Sequence, residues 1–124
     1  MLNEQETNTI ENVYRAMQAG AEGEDQMISL FTDDGVLVES FSGASREHRG
    51  KSEIRDCYRA MMAAPRPPDF RLTLDRIDTE QGRIAADWTC TASVMPEPLK
   101  GRDEYVLQDG KIARLEILLL GGAA

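Results

Sequence analysis

Histidine, cysteine and positive charge are all in short supply in this chain. It has one histidine, His48, and two cysteines, Cys57 and Cys90, in 124 residues. That set is too small for a zinc centre built from Cys and His alone, and no metal is expected. Both cysteines fall on apolar faces, so buried free thiols are expected, with a disulfide between them as the alternative. Fourteen basic against 22 acidic residues leave a net charge of −8. Such a surface repels nucleic acid and anionic membranes, and neither is expected as a partner. No apolar run reaches membrane-spanning length; Ile117 to Leu120 is only a strand end. The N-terminus, MLNEQETNTIENVY, lacks the basic stretch and apolar core of an export signal. A cytoplasmic protein is therefore the expectation.

What is present suits one domain spanning 1–124. The length fits, and 41% hydrophobic residues can fill a core. No repeat, low-complexity tract or linker interrupts the chain. The segment Ala64-Pro65-Arg66-Pro67-Pro68 reads as a rigid link between a helix and a strand.

Periodicity places the elements. Ile10, Val13, Tyr14 and Met17 follow helical spacing and predict a first helix over 4–19. Gly20 to Gly23 breaks it. A short second helix carries Met27, Leu30 and Phe31 on one side. Asp33-Asp34-Gly35 reads as a turn, Val36 to Phe41 as a strand, and Ser42 to Arg49 as a polar loop. A third helix runs from Gly50 to about Ala63 with Ile54, Cys57, Tyr58 and Met61 inward. A strand with Phe70, Leu72 and Leu74 follows, then a turn at Glu80-Gln81-Gly82. Alternation from Ile84 to Val94 predicts a half-buried strand. Two more strands, around 99–107 and 113–119, flank a tight turn at Asp109-Gly110. Helices first and an antiparallel meander last make an α+β domain, with three helices on one side of a curved sheet.

Three polar groups sit on otherwise apolar faces: Tyr14, Glu39 and Asp103. Asp103 is the clearest. As a strand, one face of 99–107 is Leu99, Gly101, Asp103, Tyr105 and Leu107. Alternation therefore sends a carboxylate into the core, where an unpaired charge is costly. Glu39 is ambiguous, because its face of the strand is no more apolar than the face of Val36 and Val38.

The chain resembles the NTF2-like (cystatin-like) superfamily, in its SnoaL-like and ketosteroid-isomerase-like branch. The residues that carry the resemblance are Leu30-Phe31-Thr32-Asp33-Asp34-Gly35-Val36, His48-Arg49-Gly50-Lys51-Ser52-Glu53-Ile54 and Asp103-Glu104-Tyr105-Val106-Leu107-Gln108-Asp109-Gly110-Lys111-Ile112. Their order and spacing span nearly the whole domain. The resemblance implies a cone, in which a bent sheet wraps around helices and leaves an apolar cavity open at one end. It also implies a homodimer through the outer sheet face. Compared with ketosteroid isomerase, the general-base position falls on Glu39 without a gap, the acid that donates to the oxyanion on Asp103, and the phenol partner on Tyr14 once one residue is inserted in the Gly20 to Gly23 loop. The family usually has Asp, often followed by Pro, where this chain has Glu39-Ser40. Trp88, Tyr58, Met61, Tyr105 and Ile117 are the expected pocket lining.

The chemistry implied is proton abstraction and return on a small apolar carbonyl ligand, steroid-, terpenoid- or polyketide-like, without metal or redox cofactor. A cyclase of the SnoaL type needs one well-placed acid, and Asp103 fits that role. The alternative is a non-catalytic ligand-binding or dimerisation module on the same fold. Limonene-epoxide-hydrolase-like chemistry is excluded, because Trp88, Cys90 and Ile117 stand where its Asp-Arg-Asp set belongs. One histidine is too few for scytalone-dehydratase-like chemistry. His48 reads as a surface or rim residue. Gly50-Lys51-Ser52 lacks the earlier glycine of a phosphate loop, since Ser45 stands there.

Overall fold

The computed structural model describes residues 2–121. Helix α1, Glu4–Ala19, begins with a capping box: Asn3 accepts from the Glu6 amide, and Glu6 accepts from the Asn3 amide. Such a cap stabilises a helix start by roughly 1 kcal/mol. The helix stops at Gly20, whose φ of 72° suits a residue without a Cβ. A single 3-10 turn, Gly20–Gly23, leads into α2, Glu24–Ser29. Helix α3 is Gly50–Met61 and buries Ile54, Cys57 and Tyr58.

Six strands form one sheet: β1 Phe31–Glu39, β2 Arg46–Arg49, β3 Arg71–Glu80, β4 Arg83–Thr91, β5 Leu99–Gln108 and β6 Lys111–Gly121. Their order is β2-β1-β6-β5-β4-β3, and every pairing is antiparallel except β1 with β6. The sheet curves without closing. Register shifts at Phe31/Val36, Leu74/Arg76, Lys100/Gly101 and Val106/Leu107 supply local bends. Gln81-Gly82 and Asp109-Gly110 both take positive φ at the hairpin tips, which lets two-residue turns follow the twist of their strands. Helices pack on the inner face, where Ile10, Val13, Phe31, Leu37, Ile112 and Leu115 are almost wholly buried. No helix among the described residues is long and apolar enough to cross a membrane.

Several expected boundaries move, each for a local reason. Phe31 opens β1 rather than ending α2, because the Leu30 carbonyl accepts from the Ile112 amide and starts the pairing with β6. Asp33-Asp34-Gly35 is then a bulge inside β1, between the pairs Phe31↔Ile112 and Val36↔Arg114. The polar loop 42–49 contains β2, which pairs with the end of β1. Phe41 lies past the end of β1 and is half exposed. The strand expected to reach Val94 ends at Thr91, where a turn from Ala92 to Met95 takes over and leaves Val94 exposed. Both cysteines are free and buried.

The register decides what faces the helices together. Val38 pairs with Glu116, and Asp103 pairs with Ile117 and Ala86. Glu39, Ile117, Asp103 and Ala86 therefore share one rung of the inner face. Two strand spacings separate Glu39 from Asp103, about 10 Å between their Cα atoms.

Candidate functional site

A cavity of about 400 Å³ opens between the inner sheet face, the end of α1 and the segment after α3. Its wall is almost entirely apolar, with Met17, Met61, Phe70 and Leu99 among its residues. Among its described lining residues Asp103 is the one carboxylate and Arg66 the one cation.

Asp103 sits at the inner wall with 3% of its surface exposed. Strand β5 turns it inward between Gly101 and Tyr105, which share its face. Both carboxylate oxygens accept hydrogen bonds. Trp88 Nε1 donates to one at 2.9 Å, and the Tyr14 hydroxyl donates to the other at 2.7 Å. Tyr105 extends the chain by donating to the Tyr14 hydroxyl at 3.0 Å. Burial pushes the Asp103 carboxyl up to about 6, while the bonds from Tyr14 and Trp88 hold it from rising further. Burial also raises Tyr14 and Tyr105 far above the usual phenol range, so both stay neutral donors. The site is thus a carboxyl poised near neutrality and oriented by two fixed donors, one of them held in turn by Tyr105. Each oxygen keeps a second lone pair for a ligand.

Trp88 holds this geometry by stacking on β5. Gly101 lies opposite it, and a Cβ there would meet Trp88 Cζ2 at 2.0 Å. Gly101→Ala is expected to lose about 2 kcal/mol, because a rigid indole in a filled core has little room to shift. Urea denaturation measures the loss, and emission of the sole tryptophan reports the displaced ring. An unchanged midpoint with unchanged emission would contradict this packing.

Glu39 is placed differently from the expectation. It is buried on the same rung as Asp103, yet it is not part of the cavity wall. Ile117 stands between them, and other groups hold the Glu39 carboxylate. The Phe41 amide donates to Oε1 at 2.9 Å; Arg46 and His48 meet Oε2 at 3.0 and 2.8 Å. Burial works to raise this carboxyl, but the bonds from His48, Phe41 and Arg46 outweigh it and leave it below the usual range. His48 is accordingly no simple rim residue: it closes over β1 with its ring largely buried.

Among the other expected lining residues, Trp88, Met61 and Ile117 do face the cavity. Tyr58 does not. Its hydroxyl lies 2.9 and 2.7 Å from the Ala16 and Gly20 carbonyls, where it caps the end of α1. Tyr105 stands behind Tyr14 rather than at the wall. Periodicity finds the buried face of an element but not which buried residues border an empty space. Arg66 drew no notice in the sequence for the opposite reason, as it lies in a Pro-rich link with no period.

Glu39, His48 and Cys57 bring three possible metal-donor atoms within 4.8 Å of one another. The donor set fits a cation poorly. Arg46 already holds the same Glu39 oxygen, and burial pushes the Cys57 thiol up to about 11, far from the thiolate that a metal needs.

The SnoaL-like domain family model matches residues 10–115. No curated protein matches the sequence. Solved structures do match in fold. A provisionally named ketosteroid isomerase from Kribbella flavida DSM 17836 has a TM-score of 0.68 at 15% identity, covering 95% of this chain and 79% of its own. A provisionally named SnoaL-like polyketide cyclase from Jannaschia sp. CCS1 has a TM-score of 0.74 at 9% identity, covering 94% and 85%. An NTF2-like protein of unknown function from Mesorhizobium loti has a TM-score of 0.72 at 16% identity, covering 95% and 93%. At such identities the likeness is one of fold.

Proposed function

We propose that this chain, which belongs to the SnoaL-like domain family, is a small-molecule enzyme that moves a proton on a carbonyl compound, with Asp103 as its single acid–base group. One observation carries the reading: the only carboxylate among the cavity's described lining residues is buried, oriented and poised near pH 6. A general base works best when its pKa lies near the working pH.

The ionised Asp103 takes a proton from the carbon next to a ligand carbonyl. That C–H bond breaks, an O–H bond forms on Asp103, and the electron pair moves to the carbonyl oxygen as an enolate. Tyr14 stands beside Asp103 with a neutral O–H and turns it to the enolate once the carboxylate is protonated. Return of the proton to a different carbon isomerises the ligand. Attack of the enolate on a second carbonyl, with the proton delivered to the new alkoxide, closes a ring. Apolar walls keep water from the enolate.

A non-catalytic binding module is the second reading. It is favoured by the fact that both Asp103 oxygens already have donors, as a purely structural acid would.

Solvent deuterium exchange separates the two. Cyclic ketones and β-diketones are incubated with the protein in heavy water and followed by NMR. Exchange above the protein-free rate is expected, rising with pH to a plateau with a midpoint near 6, since the ionised form is the base. A protein that binds these ketones in calorimetry yet speeds no exchange at any pH is a binding module.

A further inference from the structure

We propose that the ligand of this cavity is an organic acid, an apolar body bearing a carboxylate that Arg66 receives. The inference rests on the reading of the cavity as the ligand site, and it adds the ligand's charge.

Arg66 is unusually fixed for an arginine in a chain link. Its Nη1 donates to the Met17 carbonyl at 2.8 Å, and its Nη2 donates to the Gln18 carbonyl at 2.7 Å. Its guanidinium lies 4.2 Å from the centre of the Phe70 ring. Gly20 lets it approach closely, since a Cβ there would stand 2.5 Å from Nη2. These contacts use two of the five N–H groups and leave three. Pinned in this way, the planar fork loses little freedom on taking a carboxylate, which it suits better than a point charge would.

Charge makes the placement informative. The chain carries a net −8, so its mean field opposes an anionic ligand. An apolar cavity for a neutral ligand needs no cation in its wall. This wall has one; apart from Asp103 and its partners Tyr14 and Trp88, the side chains around it are apolar and strengthen any charge pair formed against them.

The fold also sets the ligand's layout. Arg66 bonds the carbonyl of Met17, and Tyr14, one turn earlier on α1, bonds Asp103. One helical turn is about 5 Å. The carboxylate and the reacting carbonyl of the ligand therefore stand several bonds apart and are not neighbours.

Calorimetry with matched acid and ester pairs tests this. The probes are β-benzoylpropionate and naphthylacetate, each against its methyl ester. The wild type is expected to bind each acid about tenfold more tightly than its ester, as befits one charge-assisted pair in an apolar wall. Arg66→Met should bring acid and ester to within about threefold by loss of acid affinity, with circular dichroism and a thermal melt showing that the variant is folded. Arg66→Lys should keep part of the preference. Equal affinities in the wild type, binding of neither member, or an acid preference that survives Arg66→Met would each overturn the proposal. Exchange on neutral ketones is scored separately, so a failure of the Asp103 chemistry and a failure of acid selection are told apart.

Discussion

Asp103→Asn slows ketone deuterium exchange by about 10²- to 10⁴-fold, the range expected for loss of a positioned general base. The substitution is chosen for its shape. An asparagine side chain still accepts from Trp88 and still bonds Tyr14, so the cavity and its ligand affinity should change little. What disappears is the group able to hold a proton. Tyr14→Phe removes both an orienting bond and the donor to the enolate, and should slow exchange by about 10²- to 10³-fold while leaving the carboxylate in place.

The same variant has an opposite effect on stability. Asp103 has a folded pKa of about 6 against an ordinary value of 3.8. A group raised in this way contributes most below its unfolded pKa, and that contribution is lost as pH rises through the folded one. Above about pH 6 the buried charge thus costs the wild type about 3 kcal/mol relative to pH 4 and below. Asparagine does not titrate. Urea denaturation should show Asp103→Asn gaining on the wild type between about pH 4 and pH 7. A gap between the two proteins that stays constant across that window would mean that Asp103 is already ionised in acid. The poise near pH 6 on which the base role rests would then fail.

Glu39→Gln has the reverse profile, with a large loss of stability and little loss of activity. The carboxylate is buried and gathers the Phe41 amide, Arg46 and His48 at one sheet edge. Breaking a fully buried pair costs about 3–5 kcal/mol. Arg46 is 57% exposed and can turn to water, so about 2 kcal/mol is expected here. Because the folded carboxyl is lowered, its contribution is present above the unfolded pKa and is lost as pH falls through the folded one. Wild type and variant should therefore converge in acid. Exchange activity should stay within severalfold, since Ile117 separates Glu39 from Asp103 and Glu39 does not border the cavity. A loss of exchange as deep as that of Asp103→Asn would restore Glu39 as the catalytic base.

The contrast between these two carboxylates shows how far the sequence could be read. Asp103 lies in a strand with clean alternation, so parity alone placed it inside. Glu39 lies where parity is ambiguous, because Val36 and Val38 leave the opposite face equally apolar. Its burial comes from β2, a strand of charged and polar residues, Arg46-Glu47-His48-Arg49, without any apolar pattern. Such a strand forms because it pairs with β1 and brings partners to Glu39. The bulge at Asp33-Asp34-Gly35 was hidden for a similar reason: turn-forming residues look alike whether a chain reverses or merely kinks.

From the sequence alone follow the α+β class, the order of the three helices and of the last four strands, the Asp109-Gly110 turn and the inward aim of Tyr14 and Asp103. These depend on neighbours a few residues apart, through helical period, strand parity and local backbone preference. Only the tertiary structure decided which buried groups meet. It joined Tyr14 to Asp103 across 89 residues, gave Glu39 to His48 and Arg46, and carried Arg66 from a proline-rich link to the cavity wall. Those outcomes depend on strand register and on where packing leaves space, and neither leaves a period in the chain.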